Sequence, residues 1–170
     1  VECADMVSLS FVRTPSDIED LFAELRSRNG SSLGIVLKIE LVEAFRNLPD
    51  LLIKLLEWES AGVMVARGDL AVEAGYLRLA ELQEEIMWLC ESAHVPVIWA
   101  TEVLDRMSKT GHPSRAEITD AAMGARAECV MLNKGPHITE SISFLDSILQ
   151  HMAEHLDKKR SLMRQLRSWQ

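Results

Sequence analysis

Lys38 and Glu40 stand two residues apart in IVLKIE, where the other positions are Ile35, Val36, Leu37 and Ile39. An ammonium enclosed by aliphatic side chains must reach water, pair with a carboxylate or act on a substrate. Residues i and i+2 of an extended strand share a face, so the two are predicted neighbours. They form either a buried Lys–Glu pair at a strand end, or a cation aimed at a phosphoryl or enolate group with Glu40 left to bind a metal. Further along, MVARGDL runs from apolar residues straight into Arg67-Gly68-Asp69. Gly68 allows close backbone approach, and a helix starting here would offer the Gly68 and Asp69 N–H groups to a carboxylate or phosphate. Asp69 is alternatively a plain N-cap. Glu40 and Asp69 converging on one point would suit Mg²⁺, which takes one or two protein carboxylates and fills its other positions with substrate oxygens and water.

Positioning these groups requires a scaffold, and the apolar pattern supplies one. Short runs at Met6–Val12, Gly34–Ile39, Gly62–Ala66, Pro96–Ala100 and Cys129–Leu132 read as strands. Helical stretches separate them: one opened by Thr14-Pro15-Ser16-Asp17 and stopped by Asn29-Gly30, then Leu48–Glu57, Leu77–Ala93 and Ser114–Ala127. A last helix starts near Ile138 and extends towards Trp169. The strands are continuous apolar runs, as in a parallel sheet covered on both faces by helices. The predicted class is α/β with parallel βα repeats. Five such units are too few for a closed eight-stranded barrel, so the chain is an open sheet or part of a barrel. Ser10, Lys38-Ile39-Glu40, Arg67-Gly68-Asp69, Thr101-Glu102 and Asn133-Lys134 all fall at the carboxyl ends of these strands. Both architectures keep their chemistry there.

Composition sets the remaining bounds. The chain has 170 residues, 48% of them hydrophobic and 26% charged, which suits one packed domain. A net charge of -8 and a pI near 5.1 argue against nucleic-acid or anionic-membrane binding. No spanning helix or signal peptide is visible, which points to the cytoplasm. The chain starts at Val1 without an initiator Met and is expected to be a piece of something longer. Cys3, Cys90 and Cys129 form no metal or disulfide pattern and read as ordinary buried or half-buried thiols of a reducing compartment. His151 and His155, four apart on a helix, lack a third metal ligand and read as a solvated face. Trp58, Trp88 and Trp99 are expected between helices and sheet, and Trp169 in the tail. The basic tail residues Lys158, Lys159, Arg160, Arg164 and Arg167 read as a solvated helix end.

KIE at Lys38–Glu40, MVARGDLAVE at Met64–Glu73, PVIWATEVLDRM at Pro96–Met107 and SRAEITDAA at Ser114–Ala122 resemble the pyruvate kinase family. SLSFVR at Ser8–Arg13 and CVML at Cys129–Leu132 are similar to two further strands of its catalytic barrel. The resemblance implies units four to eight of a (β/α)₈ barrel over residues 1–152, with a helical extension over 153–170. It implies Lys38 as the lysine that neutralises the transferring phosphoryl and the enolate oxygen, and Thr101 as the threonine beside the substrate. Glu40 and Asp69 become ligands of Mg²⁺ or Mn²⁺, with Ser10 near the metal. Ala66, Arg67 and Gly68 become the turn whose backbone receives the pyruvate carboxylate. The substrates implied are phosphoenolpyruvate with ADP, giving pyruvate and ATP. Against the family, these 170 residues are expected to lack the first three barrel strands with their K⁺ ligands, the nucleotide lid and the C-terminal regulatory domain. Ala74-Gly75 and Asn133–His137 also depart from the family pattern. The chain alone is therefore expected not to turn over. Arg115 and Glu117 read as interface or scaffold residues. Two other functions fit the same residues: a metal-dependent lyase or aldolase acting on a pyruvate enolate, and a non-catalytic assembly module. Exposed barrel edges favour homo-oligomers or domain swapping.

Overall fold

The computed structural model describes residues 3–162. Five strands, β1 (Met6–Leu9), β2 (Gly34–Ile39), β3 (Ala61–Ala66), β4 (Val97–Val103) and β5 (Cys129–Leu132), form one sheet in the order β1-β2-β3-β4-β5. The pairs β1–β2, β2–β3 and β3–β4 are parallel, so the expected α/β class with parallel βα repeats holds. The helices are α1 (Pro15–Ser27), α2 (Val42–Arg46), α3 (Leu48–Leu55), α4 (Arg67–Ala74), α5 (Tyr76–Ala93), α6 (Asp105–Thr110), α7 (Arg115–Gly124) and α8 (Ile138–Leu162). The chain divides into two compact units. One holds the described residues up to Thr101 together with Ala127–Cys129; the other holds Glu102–Arg126 and the described residues from Val130 on. Among the described residues no helix is long and apolar enough to cross a membrane.

In the first unit, the middle strands are sealed by helices. Ile35, Leu37, Ile39, Val63 and Val65 are all buried, as are Leu48, Leu51 and Leu55 of α3 and Leu82 and Ile86 of α5. Helix α1 starts where the sequence says it should: Pro15 opens it, and the Asp17 carboxylate accepts the Thr14 N–H at 2.8 Å. That bond, and the Arg13 N–H on the same oxygen, hold the Asp17 carboxyl below its ordinary range. Ile18, Phe22 and Leu25 form the buried stripe of α1, and Phe22 stacks on Trp58 with centroids 4.7 Å apart. Trp58 Nε1 donates to the Leu33 carbonyl at 2.8 Å, so the indole is both packed and satisfied.

Three differences from the sequence reading have physical causes. β1 ends at Leu9 rather than Val12, because Phe11 turns into the left-handed region (φ 55°) and leaves the strand. β1 and β5 alternate between exposed and half-buried residues, since each is last in the strand order and has one neighbour. Met6 and Met131 are exposed as a result. Trp88, expected between helix and sheet, is 55% exposed; the buried face of α5 runs through Leu82, Ile86, Met87 and Cys90 instead.

The cysteines also depart from expectation. Cys90 is buried, while Cys3 and Cys129 are exposed. Burial, seconded by the Glu128 carboxylate, pushes the Cys90 thiol up to about 12. A thiol reagent at pH 8 is expected to titrate two groups fast and the third only after denaturation; three fast thiols would contradict this packing. Because the native thiol holds its proton where the unfolded one has lost it, its contribution to stability is complete below pH 9 and is lost as pH rises towards about 12.

The second unit is tied by polar contacts. In SRAE, Ser114 and Glu117 form a reciprocal capping box: Ser114 N–H donates to Glu117 Oε2 (2.7 Å) and Glu117 N–H to Ser114 Oγ (3.3 Å). Glu117 Oε1 also accepts the Arg106 N–H, which makes Glu117 a scaffold residue. Asp105 accepts from Lys109 (2.9 Å) and Asn133 (2.5 Å), and these bonds hold its carboxyl below the ordinary range. Gly135 passes so close to the Ser108 carbonyl that a Cβ would collide with it. His151 Nδ1 sits 2.6 Å from the Ser147 carbonyl on an exposed face of α8, as a solvated helix would have it. Trp169, Arg164, Arg167 and the side chains of Lys158, Lys159 and Arg160 lie outside the described residues.

Candidate functional site

Strand register brings the chemical residues of the first unit to one edge of the sheet. Leu9 pairs with Leu37, so Ser10 comes level with Lys38. Ile39 pairs with Val65, so Glu40 comes level with Ala66, where β3 passes into α4. Ala66 in turn pairs with Ala100, the residue before Thr101. Every candidate therefore lies within three residues of the carboxyl end of its strand, with Lys38 and Thr101 still inside β2 and β4.

The same-face spacing of Lys38 and Glu40 is realised as an ion pair, Nζ to Oε1, of 2.6 Å. Lys38 Nζ also donates to Ser10 Oγ at 3.0 Å. Glu40 is 1% exposed while the Lys38 side chain keeps 26% of its surface, so the ammonium reaches solvent and the carboxylate does not. A buried carboxylate needs several partners. Its second is the Phe11 N–H, which donates to Oε2 at 2.6 Å. Sequence reading missed Phe11, because a non-glycine residue at positive φ carries no local signal and its role is played by backbone.

The β3–α4 junction is a sharp turn. Ala66 is the N-cap of α4 and gives no side-chain cap, so the first N–H groups of the helix lack intrahelical partners. Asp69 is the third residue of α4 and exposed, which excludes the N-cap reading. Gly68 is required for contact: a Cβ there would meet Thr101 Cγ2 at 2.8 Å. Thr101 is held at φ 73° and Glu102 at φ 58°, a costly backbone for a β-branched residue and its neighbour. The Arg67 side chain donates to the carbonyls of Ala100 (Nε, 2.7 Å) and Thr101 (Nη2, 2.5 Å). Gly75, at φ 82°, divides α4 from α5, so the departure from the family pattern at Ala74-Gly75 falls on a helix break that glycine makes easily.

No group of three or more His, Cys, Asp or Glu side chains gathers as a metal cluster among the described residues. Glu40 and Asp69 nevertheless suit Mg²⁺ or Mn²⁺ by donor type, since both are hard oxygen ligands and such an ion needs only one or two from the protein. Each Glu40 oxygen already accepts one hydrogen bond, and each retains a second lone pair.

Comparison with known proteins gives the setting of this site. The family model "Pyruvate kinase, barrel domain" matches residues 2–137. The pyruvate kinase of Hypocrea jecorina is 38% identical over 144 residues, 81% of this chain and 26% of that protein. The Sporosarcina psychrophila pyruvate kinase is 37% identical, covering 86% of this chain and 25% of its own length. That of Thermotoga maritima is 34% identical, covering 93% and 34%. The chain thus spans a quarter to a third of the relatives it matches. It belongs to the pyruvate kinase family and carries part of that family's barrel domain.

Proposed function

We propose that the protein carrying this chain transfers the phosphoryl group of phosphoenolpyruvate to ADP, giving pyruvate and ATP. One observation supports this above the rest: Lys38, solvent-facing and anchored by Glu40 and Ser10, stands at the same strand-end rim as the Arg67–Asp69 turn. Phosphoryl transfer asks mainly for positioning and charge neutralisation. The Ala66–Gly68 backbone receives the substrate carboxylate at the start of α4. The Lys38 ammonium lies against the phosphoryl and the enol oxygen. The P–O bond to that oxygen breaks as a bond to the ADP β-phosphate oxygen forms, and the electron pair stays on the enol oxygen. Thr101 orients the carboxylate and the methylene carbon, which then takes up a proton. Glu40 and Asp69 would hold Mg²⁺ or Mn²⁺, whose charge, when bound, neutralises the phosphoryl and enolate oxygens. A K⁺ requirement would depend on strands that precede this chain in its relatives.

In the same reading, residues 1–152 form the barrel portion and 153–170 a helical extension. The protein works in the cytoplasm as a homo-oligomer or an edge-paired assembly, touching neither nucleic acid nor membrane. The exposed end strands β1 and β5 support association. The test is a coupled assay of the protein that carries this chain. Mg²⁺-dependent ATP formation from phosphoenolpyruvate and ADP is expected, and the 170-residue chain alone is expected to be inactive. Cleavage of a pyruvate aldol adduct without ATP formation would replace this reading with a lyase. Neither activity, with a concentration-dependent oligomer, would leave an assembly module.

A further inference from the structure

The guanidinium of Arg67 lies over the indole of Trp99, its central carbon 4.4 Å from the ring centroid. The same guanidinium donates to the Ala100 and Thr101 carbonyls. Trp99 is 1% exposed, and its Nε1 has no hydrogen-bond partner among the described residues. Buried indole N–H groups usually find an acceptor, and leaving one without costs free energy. With its N–H unpaired, the indole contributes here through its ring. The ring face supplies volume to the core and a platform for the cation, and Arg67 is the cation it meets.

We propose that Trp99 and the Arg67 side chain are positioning residues for the carboxylate-binding turn. The indole holds the guanidinium in the orientation that clamps the carbonyls of Ala100 and Thr101. That clamp keeps Thr101 at φ 73° with its methyl against Gly68. A β-branched residue at this φ persists only where its surroundings over-determine it, and the clamp and the Gly68 contact together do so. Arg67 therefore contributes its backbone to the turn and its side chain to the neighbouring strand end. The ligand whose affinity depends on this is the carboxylate of a small 2-oxo acid, and that part of the inference rests on the function proposed above.

The test uses the protein that carries this chain, its Trp99→Leu and Trp99→Phe variants, and two readouts. The first is solvent exchange of the Arg67 Nε–H proton, followed by nitrogen-15 NMR, which needs no ligand. Exchange is expected to be slow in the unsubstituted protein, about tenfold faster in Trp99→Leu and slow again in Trp99→Phe, because phenylalanine retains a π face. Unchanged exchange in Trp99→Leu overturns the brace, whatever the chain binds. The second is the affinity for carbon-13-labelled pyruvate with Mg²⁺ present. A loss of about tenfold in Trp99→Leu, recovered to within about threefold in Trp99→Phe, supports the positioning role. Should the loss follow the melting temperature of the variants and not the aromatic ring, Trp99 only packs and the proposal fails. No pyruvate binding by the unsubstituted protein overturns the carboxylate site and the positioning role with it, while the exchange readout still decides the brace.

Discussion

Lys38→Met is expected to lower the stability of the chain by about 2–3 kcal/mol, because it strips the counter-ion from a buried carboxylate. Glu40 is 1% exposed and would keep the Phe11 N–H as its remaining partner. The loss falls below the ~3–5 kcal/mol usual for broken buried pairs because Lys38 itself is 26% exposed. Urea unfolding followed by circular dichroism measures it. Removing both charges, as Lys38→Met with Glu40→Gln, should recover most of the stability, since it removes the uncompensated buried charge and keeps an acceptor for the Phe11 N–H. Activity should behave differently. In the protein that carries this chain, both variants are expected to lose about 10²–10³-fold or more in turnover, because the ammonium that faces the phosphoryl is gone in each. A Lys38→Met chain as stable as the parent would show that the pair does not close as described. A double variant that recovers activity along with stability would end the catalytic role of Lys38.

The second large effect is expected at Gly68. Gly68→Ala puts a methyl group 2.8 Å from Thr101 Cγ2. Thr101 cannot easily retreat: it is β-branched, it sits at positive φ, and Arg67 holds its carbonyl. Overpacking of this kind costs about 1–3 kcal/mol. Thr101→Ser removes the offending Cγ2 and keeps the hydroxyl. The double variant Gly68→Ala with Thr101→Ser should therefore be more stable than the sum of the single changes predicts, by about 1 kcal/mol. Chemical denaturation of the four proteins reads this directly. Strict additivity would mean that the strain is relieved elsewhere, and that Gly68 is not set by Thr101.

Local residue choices foretold much of this arrangement. Thr14-Pro15 announces a helix start that the structure contains, because caps satisfy backbone groups within a few residues of themselves, and the helix read from Ser114 on begins there. The alternation of apolar runs with helical stretches gave the parallel α/β class for the same reason: burial on both faces is written in the middle strands. The i, i+2 spacing was enough to make Lys38 and Glu40 neighbours. Trp88 and Cys129 went astray because exposure depends on what packs opposite, and an amphipathic pattern does not name its partner.

The amino-acid order alone determined the five strands and the longer helices between them, the family, and the set of polar groups near the strand ends, since these rest on periodicity and on short motifs; the short helices α2 and α6 were not read from it. Tertiary structure decided which backbone N–H completes the shell of Glu40, why a side chain at Gly68 would crowd Thr101, and that the Arg67 guanidinium turns to Trp99 and the Ala100 and Thr101 carbonyls of β4. Those outcomes depend on contacts between strands some thirty residues apart in the chain. No local preference encodes them; they exist only once parallel pairing has set the register.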